Sequence, residues 1–173
     1  MRAEPDTALP LGKRGLALPR GLVLPLCLAS VAPAVAWLAY ILLGLRLQPN
    51  HWTGWSSGLF AWVWVLALAP VLEETALRPL LQTGLRYQFG RIEVNDRLHS
   101  SLDWRGHLAN VATALAFVVL HLPANGALAV WWLAPAVAIG EVWRRSASWW
   151  LCVLLHAWFN ASLLVVTAFS SLG

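Results

Sequence analysis

The chain has 173 residues, enough for one domain, with 59% hydrophobic and 12% charged residues and a formal net charge of +4. A soluble domain carries about 25% charged residues, so an ordinary water-soluble globule is excluded. The mean hydropathy of +0.63 makes lipid the expected solvent, and the basic residues, placed between apolar runs, read as topology signals rather than as a nucleic-acid surface.

Residues 1–20 are polar and basic and are expected to form a cytoplasmic tail. Residues 21–173 are expected to form a single transmembrane domain. The first apolar run, 21–45, is long enough to span about 30 Å of hydrocarbon. It exceeds the length of a signal-peptide core and lacks a small-residue cleavage pattern, so it reads as a retained helix. Turn residues fill 46–54, and a second helix is expected over 55–85. The polar stretch 86–107 follows. A third span over 108–122 ends at the turn signal Pro123-Ala-Asn-Gly126. The fourth and fifth spans are expected over 127–142 and 148–169. The fold class is therefore an all-α polytopic membrane bundle of five to six transmembrane helices around a polar cavity.

Twelve Trp support the membrane reading, because Trp favours the bilayer interface. Trp52, Trp55, Trp104, Trp143, Trp149 and Trp150 flank apolar runs, whereas Trp37, Trp62 and Trp64 read as core. Cys27 and Cys152 lie inside apolar segments and read as buried, inert thiols. Of the twelve basic residues, ten fall in the tail, in 86–107 or at Arg144-Arg145, and Arg46 falls alone on the opposite side. That imbalance places the N-terminus in the cytoplasm and the C-terminus outside. The twelfth, Arg78, lies inside a span.

Charge inside hydrocarbon is costly and marks a functional site by default. The second span carries Glu73, Glu74 and Arg78. Glu74 and Arg78 stand at i, i+4 and can pair, while Glu73 points about 100° away. One carboxylate can be neutralised while its neighbour stays free for chemistry. Pro70 and Pro79 bracket the cluster and each frees a backbone carbonyl, which suggests a polar cavity. His121 ends the third span. His156 and Asn160, four residues apart, share a face of the fifth. Burying these groups separately would be expensive, so they are expected to converge. A carboxylate, imidazole and amide set can activate water and stabilise an oxyanion. The structural alternatives are an interhelical ion cluster for the Glu-Glu-Arg set, a satisfied core histidine for His121, and an interhelical hydrogen-bonding pair for His156 and Asn160.

Glu73-Glu74-x-x-x-Arg78, Phe117-x-x-x-His121 and His156-x-x-x-Asn160, in that order on separate membrane helices, resemble the CAAX protease and bacteriocin-processing family. The resemblance covers roughly residues 70–160. It implies a conical helical bundle with glutamic-type intramembrane protease activity and no cofactor or metal. Glu73 and His121 would activate water, His156 and Asn160 would form the oxyanion hole, and Glu74 and Arg78 would support the site. The implied partners are the lipid bilayer and a membrane-anchored protein or peptide substrate, with no nucleic acid. The short chain resembles a minimal prokaryotic member of the inner membrane. Two alternatives stand beside this reading. One is a zinc protease with Glu73, His121 and His156 as ligands, although no His-Glu-x-x-His motif supports it. The other is a non-enzymatic immunity or scaffold protein. A third span of some fifteen residues would also be too short for a full crossing. Counted from a cytoplasmic start near Leu108, His121 would lie about 20 Å deep and His156, on the same count in the fifth span, about 12 Å. A hairpin with helix four that turns inside the membrane, or a third helix that begins outside the lipid, would bring them level.

Overall fold

Apolar runs in lipid must satisfy every backbone hydrogen bond within the segment, which leaves the helix as the available solution for an open chain. The computed structural model describes residues 20–43, 59–90 and 103–170, and no strand occurs among them. Five helices carry the fold: α1 Arg20–Leu43, α2 Leu59–Gly90, α3 Trp104–Asn125, α4 Leu133–Ser146 and α5 Trp149–Ser170. Among the described residues, α2, α3 and the Trp149–Val166 part of α5 are long and apolar enough to cross a membrane. The all-α membrane bundle read from the sequence is thus the observed one. Residues 1–19, residues 44–58 with the 46–54 loop, Trp52 and Trp55, and the 91–102 part of the polar stretch lie outside the described residues, as does the side chain of Trp37.

Several boundaries differ from expectation: the second helix runs on to Gly90, the fourth lies at Leu133–Ser146, and both ends of the third move. The third span starts at Trp104, because Asp103 caps it: its carboxylate accepts from the Gly106 N–H at 3.1 Å. It also runs through Pro123 to Asn125 and stops at Gly126, whose φ of +57° glycine adopts freely. Its 22 residues extend about 33 Å, a full crossing. The shortness expected of the third span belongs instead to α4, whose 14 residues extend only about 21 Å. A 3-10 segment, Gly126–Trp132, precedes α4.

The helix α2 is unusual in its hydrogen-bond register. It widens into π turns at Trp64–Leu68 and Ala76–Gln82. Pro70 stands two residues past the end of the first, and Pro79 lies inside the second. At the first, the Ala69 N–H bonds to the Trp64 carbonyl, five residues back. In the same register Pro70 would bond to Val65, but proline has no N–H. The Val65 carbonyl is left without that donor.

Two small cores hold the helices together. Leu77, Ala114, Phe117 and Ala136 join α2, α3 and α4. Ile139, Val142, Cys152 and Leu155 join α4 to α5, with Leu24, Leu28 and Ala29 of α1 against them. The Trp158 indole donates to the Ala29 carbonyl at 2.6 Å and ties α5 to α1. Large apolar residues cover the outer surface: Leu59 is 81% exposed and Leu120 71%, a pattern that lipid, not water, accommodates. Two sequence readings need correction on this surface. Trp62 is 51% exposed, so it faces outward rather than into a core. Cys27 is exposed on α1, and only Cys152 is buried.

Ion pairs gather at one end of the bundle. Arg86 at the end of α2 meets Asp103 at 3.0 Å, and Arg144 of α4 meets the same carboxylate at 3.4 Å. Glu141 takes Arg144 and Arg145, both at 2.6 Å. The basic residues flanking α2, α3 and α4 therefore share one end, as their charge pattern requires.

Candidate active site

The polar residues of the spans converge between α2 and α5. Glu74 and Arg78 are each 1% exposed and pair through Arg78 Nε and Glu74 Oε2 at 2.7 Å. The i, i+4 spacing on α2 makes this pair, as the sequence indicated. The guanidinium spends its remaining nitrogens on Gln82 Oε1 at 3.1 Å and the Ala136 carbonyl of α4 at 3.2 Å. A buried arginine needs this many acceptors, because it has five N–H groups and cannot shed its charge.

His156 lies between the two carboxylates. Its Nδ1 is 2.8 Å from Glu74 Oε1, and its Nε2 is 3.5 Å from Glu73 Oε2. A carboxylate accepts only, so Nδ1 carries the proton in that bond and the tautomer is fixed. Glu73 is the more open acid, with its side chain 31% exposed against 1% for Glu74. Glu74 is thus paired with Arg78 inside the bundle, while Glu73, the more open acid, has His156 Nε2 as its neighbour.

Asn160 Nδ2 donates to the Val65 carbonyl at 2.9 Å. This is the carbonyl that Pro70 leaves without a donor. One of the two amide hydrogens of Asn160 is thus used in joining α5 to α2, and the second remains for other work.

His121 reaches the cluster indirectly. Its Nδ1 donates to the Phe117 carbonyl at 2.9 Å, which leaves Nε2 as a lone-pair acceptor. Its ring packs on Phe117 at 4.2 Å between centroids, and Phe117 meets the His156 ring edge-on at 5.8 Å. No hydrogen bond joins His121 to Glu73 among the described residues. Phe117 therefore touches both imidazole rings.

A small cavity opens among Glu74, Arg78, Phe117, Trp132, His156 and Asn160, with about 10 Å³ open to the centre of a water molecule. That is room for about one water. No group of three His, Cys, Asp or Glu among the described residues is arranged to hold a metal ion.

Residues outside the sequence-derived set complete the cluster. Gln82 is 3% exposed and donates to the Gly140 carbonyl at 3.0 Å. Asn110, 2% exposed, donates to the Val137 carbonyl at 3.0 Å, while its own Oδ1 and the Thr113 hydroxyl are buried without partners. Gly140 admits them: a methyl group there would overlap Asn110 Oδ1 and lie 2.8 Å from Arg78 Nη1. The spacing of Glu74, Arg78 and Gln82, each four residues apart, was the available signal for Gln82.

Fold and site together define an integral membrane protein with a buried acid–imidazole cluster inside a helical bundle. The family model described as type II CAAX prenyl endopeptidase Rce1-like matches residues 53–162, and the chain belongs to this family of CAAX-type intramembrane proteases. The resemblance read from the three motifs is thereby upheld. No curated protein and no solved structure matches the chain significantly.

Proposed function

We propose that the chain is a glutamic-type intramembrane endopeptidase acting on a membrane-anchored substrate, of which a prenylated C-terminal peptide is the class nearest the family's description. The observation that carries this reading is His156, gripped at Nδ1 by the charge-balanced Glu74 and facing the freer acid Glu73 with Nε2. Glu73 is the general base. It takes a proton from a water whose other contact is the lone pair on His121 Nε2, and the hydroxide attacks the scissile carbonyl. With a second proton on His156, the set Glu73, Glu74, Arg78 and His156 is electrically neutral, the state that lipid favours. His156 Nε2–H and the second Asn160 N–H then donate to the oxyanion. Glu73 returns its proton to the leaving amine, and the water supplies the new carboxyl oxygen.

The test is cleavage of a quenched farnesylated CAAX peptide, and of a co-expressed anchored reporter, by protein in liposomes. Glu73→Gln keeps the shape and removes the base, so cleavage should fall by orders of magnitude while the protein still folds. Retained activity would refute the glutamic mechanism. Activity lost on chelation and restored by zinc would favour a metal mechanism instead. An anchored reporter cleaved when the farnesylated peptide is not would correct the substrate class alone.

A further inference from the structure

An arginine held in a plane by several acceptors transmits its orientation to each of them. Arg78 is held at three atoms: Nε by Glu74, Nη1 by Gln82 and Nη2 by the Ala136 carbonyl. Two of these acceptors have plain duties. Glu74 fixes the His156 tautomer, and Ala136 belongs to the α4 backbone. Gln82 is different. Its two ends serve two elements, because Oε1 accepts from Arg78 at 3.1 Å while Nε2 donates to the Gly140 carbonyl of α4 at 3.0 Å. It touches neither His156 nor the water-sized cavity.

We propose that Gln82 is a positioning residue: its side-chain oxygen, by accepting from Arg78 Nη1, sets the plane of the guanidinium so that Glu74 meets His156 Nδ1 correctly. This rests on the reading of the cluster as the proteolytic site. The neighbourhood shows what Gln82 prevents. Asn110 Oδ1 is a buried acceptor with no partner, and it crowds the same side of Gly140 that Arg78 Nη1 approaches. Without the Gln82 oxygen, Nη1 turns toward Asn110. The guanidinium then rotates about its Nε end and swings the Glu74 carboxylate out of line with the imidazole. A unit with no direct contact to the reacting atoms thereby controls the ring that makes one.

The sequence supports the ladder independently. Glu74, Arg78 and Gln82 recur every four residues on one face of α2. The π segment Ala76–Gln82 carries Arg78 and ends at Gln82, so the ladder spans a turn whose register the backbone alone leaves loose.

Three variants test the proposal. Gln82→Met removes both hydrogen bonds at similar volume. Gln82→Glu keeps an acceptor for Arg78 Nη1 but cannot donate to Gly140. Glu73→Gln reports on the site itself. The first readout is the His156 Nδ1–H resonance in ¹⁵N-histidine-labelled protein in nanodiscs, assigned by its loss in His156→Gln. We expect it to move in Gln82→Met and to return toward the wild-type position in Gln82→Glu. The second readout is turnover of the farnesylated peptide. Here kcat should fall roughly 10- to 100-fold in Gln82→Met, the scale of a misplaced catalytic group, with KM unchanged and kcat partly restored in Gln82→Glu. A role confined to bridging α2 and α4 predicts equal damage from the two variants, with no rescue by Glu, because the donor to Gly140 is lost in both. An unmoved resonance in Gln82→Met, or equal damage from both variants, overturns the proposal. Activity surviving in Glu73→Gln overturns the glutamic mechanism, and the resonance still decides whether Gln82 positions the ring.

Discussion

Replacing Arg78 with Met leaves Glu74 as a charge 1% exposed to solvent and without its cation. Breaking a buried pair from one side costs about 3–5 kcal/mol. Three hydrogen bonds from the guanidinium go with it, to Glu74, Gln82 and the Ala136 carbonyl. For a chain of this size each kcal/mol moves the melting temperature by about 2–4 °C, so a drop of roughly 10 °C is expected. The Trp fluorescence of detergent-solubilised protein reads it directly. Glu74→Gln in the same background removes the stranded charge and keeps an oxygen for His156 Nδ1. The double variant should therefore recover most of the loss, with a coupling of about 1–3 kcal/mol across the cycle. A single variant that melts with the wild type would refute the reasoning. Additive losses in the double variant would also refute it, because they would mean that the two side chains do not depend on each other.

Gly140→Ala should fail to accumulate or melt well below wild type, because its methyl group meets Asn110 Oδ1 and Arg78 Nη1; expression and thermal unfolding check this, and a normal melt would show that α4 can retreat. Asn160→Ala should lose about 100–1,000-fold in cleavage, the usual loss for one oxyanion donor, and should also loosen α2 at Val65; slowed turnover with faster amide exchange near Val65 is the expected pair of results. Arg86→Ala should change stability by less than about 1 kcal/mol, since an exposed ion pair contributes little and Arg86 is 55% exposed; a large drop in melting temperature would contradict it. Reporter fusions after Gly173 should report the outside, and fusions within 91–97 the cytoplasm, by the distribution of basic residues; a cytoplasmic C-terminus would overturn that orientation.

Much of the site was legible because lipid leaves few places for polar residues. Glu73, Glu74, Arg78, His156 and Asn160 stand out in apolar runs, and helical periodicity alone separates the paired acid from the free one. Gln82 and Asn110 were less visible. An amide near the end of an apolar run looks like the start of a polar loop, and its partners are backbone carbonyls of α4, which no side-chain pattern announces. The start of α3 was hidden for a similar reason: Asp103, Trp104 and Arg105 read as loop, and only the bond from the Gly106 N–H to Asp103 turns them into a helix start. Trp62 was misread because tryptophan in a span serves equally in a core or against lipid, and the side it takes depends on register. In α2 that register changes within the helix, at the π turns, so counting by 3.6 residues fails across them.

The same π turns change what a shift in chain length does to α2. In a regular helix, removing one residue shortens the rod by 1.5 Å and turns everything beyond it by about 100°. Trp64–Leu68 already holds a residue more than an α turn would need. Losing one there restores a tighter coil with little change in length or in phase, so Leu59–Val63 keeps nearly the same orientation relative to Glu73 and Glu74. A one-residue gap at this place is therefore absorbed where the coil is wide: the side chains on either side keep their faces, and what changes is the local turn that offers the Val65 carbonyl to Asn160.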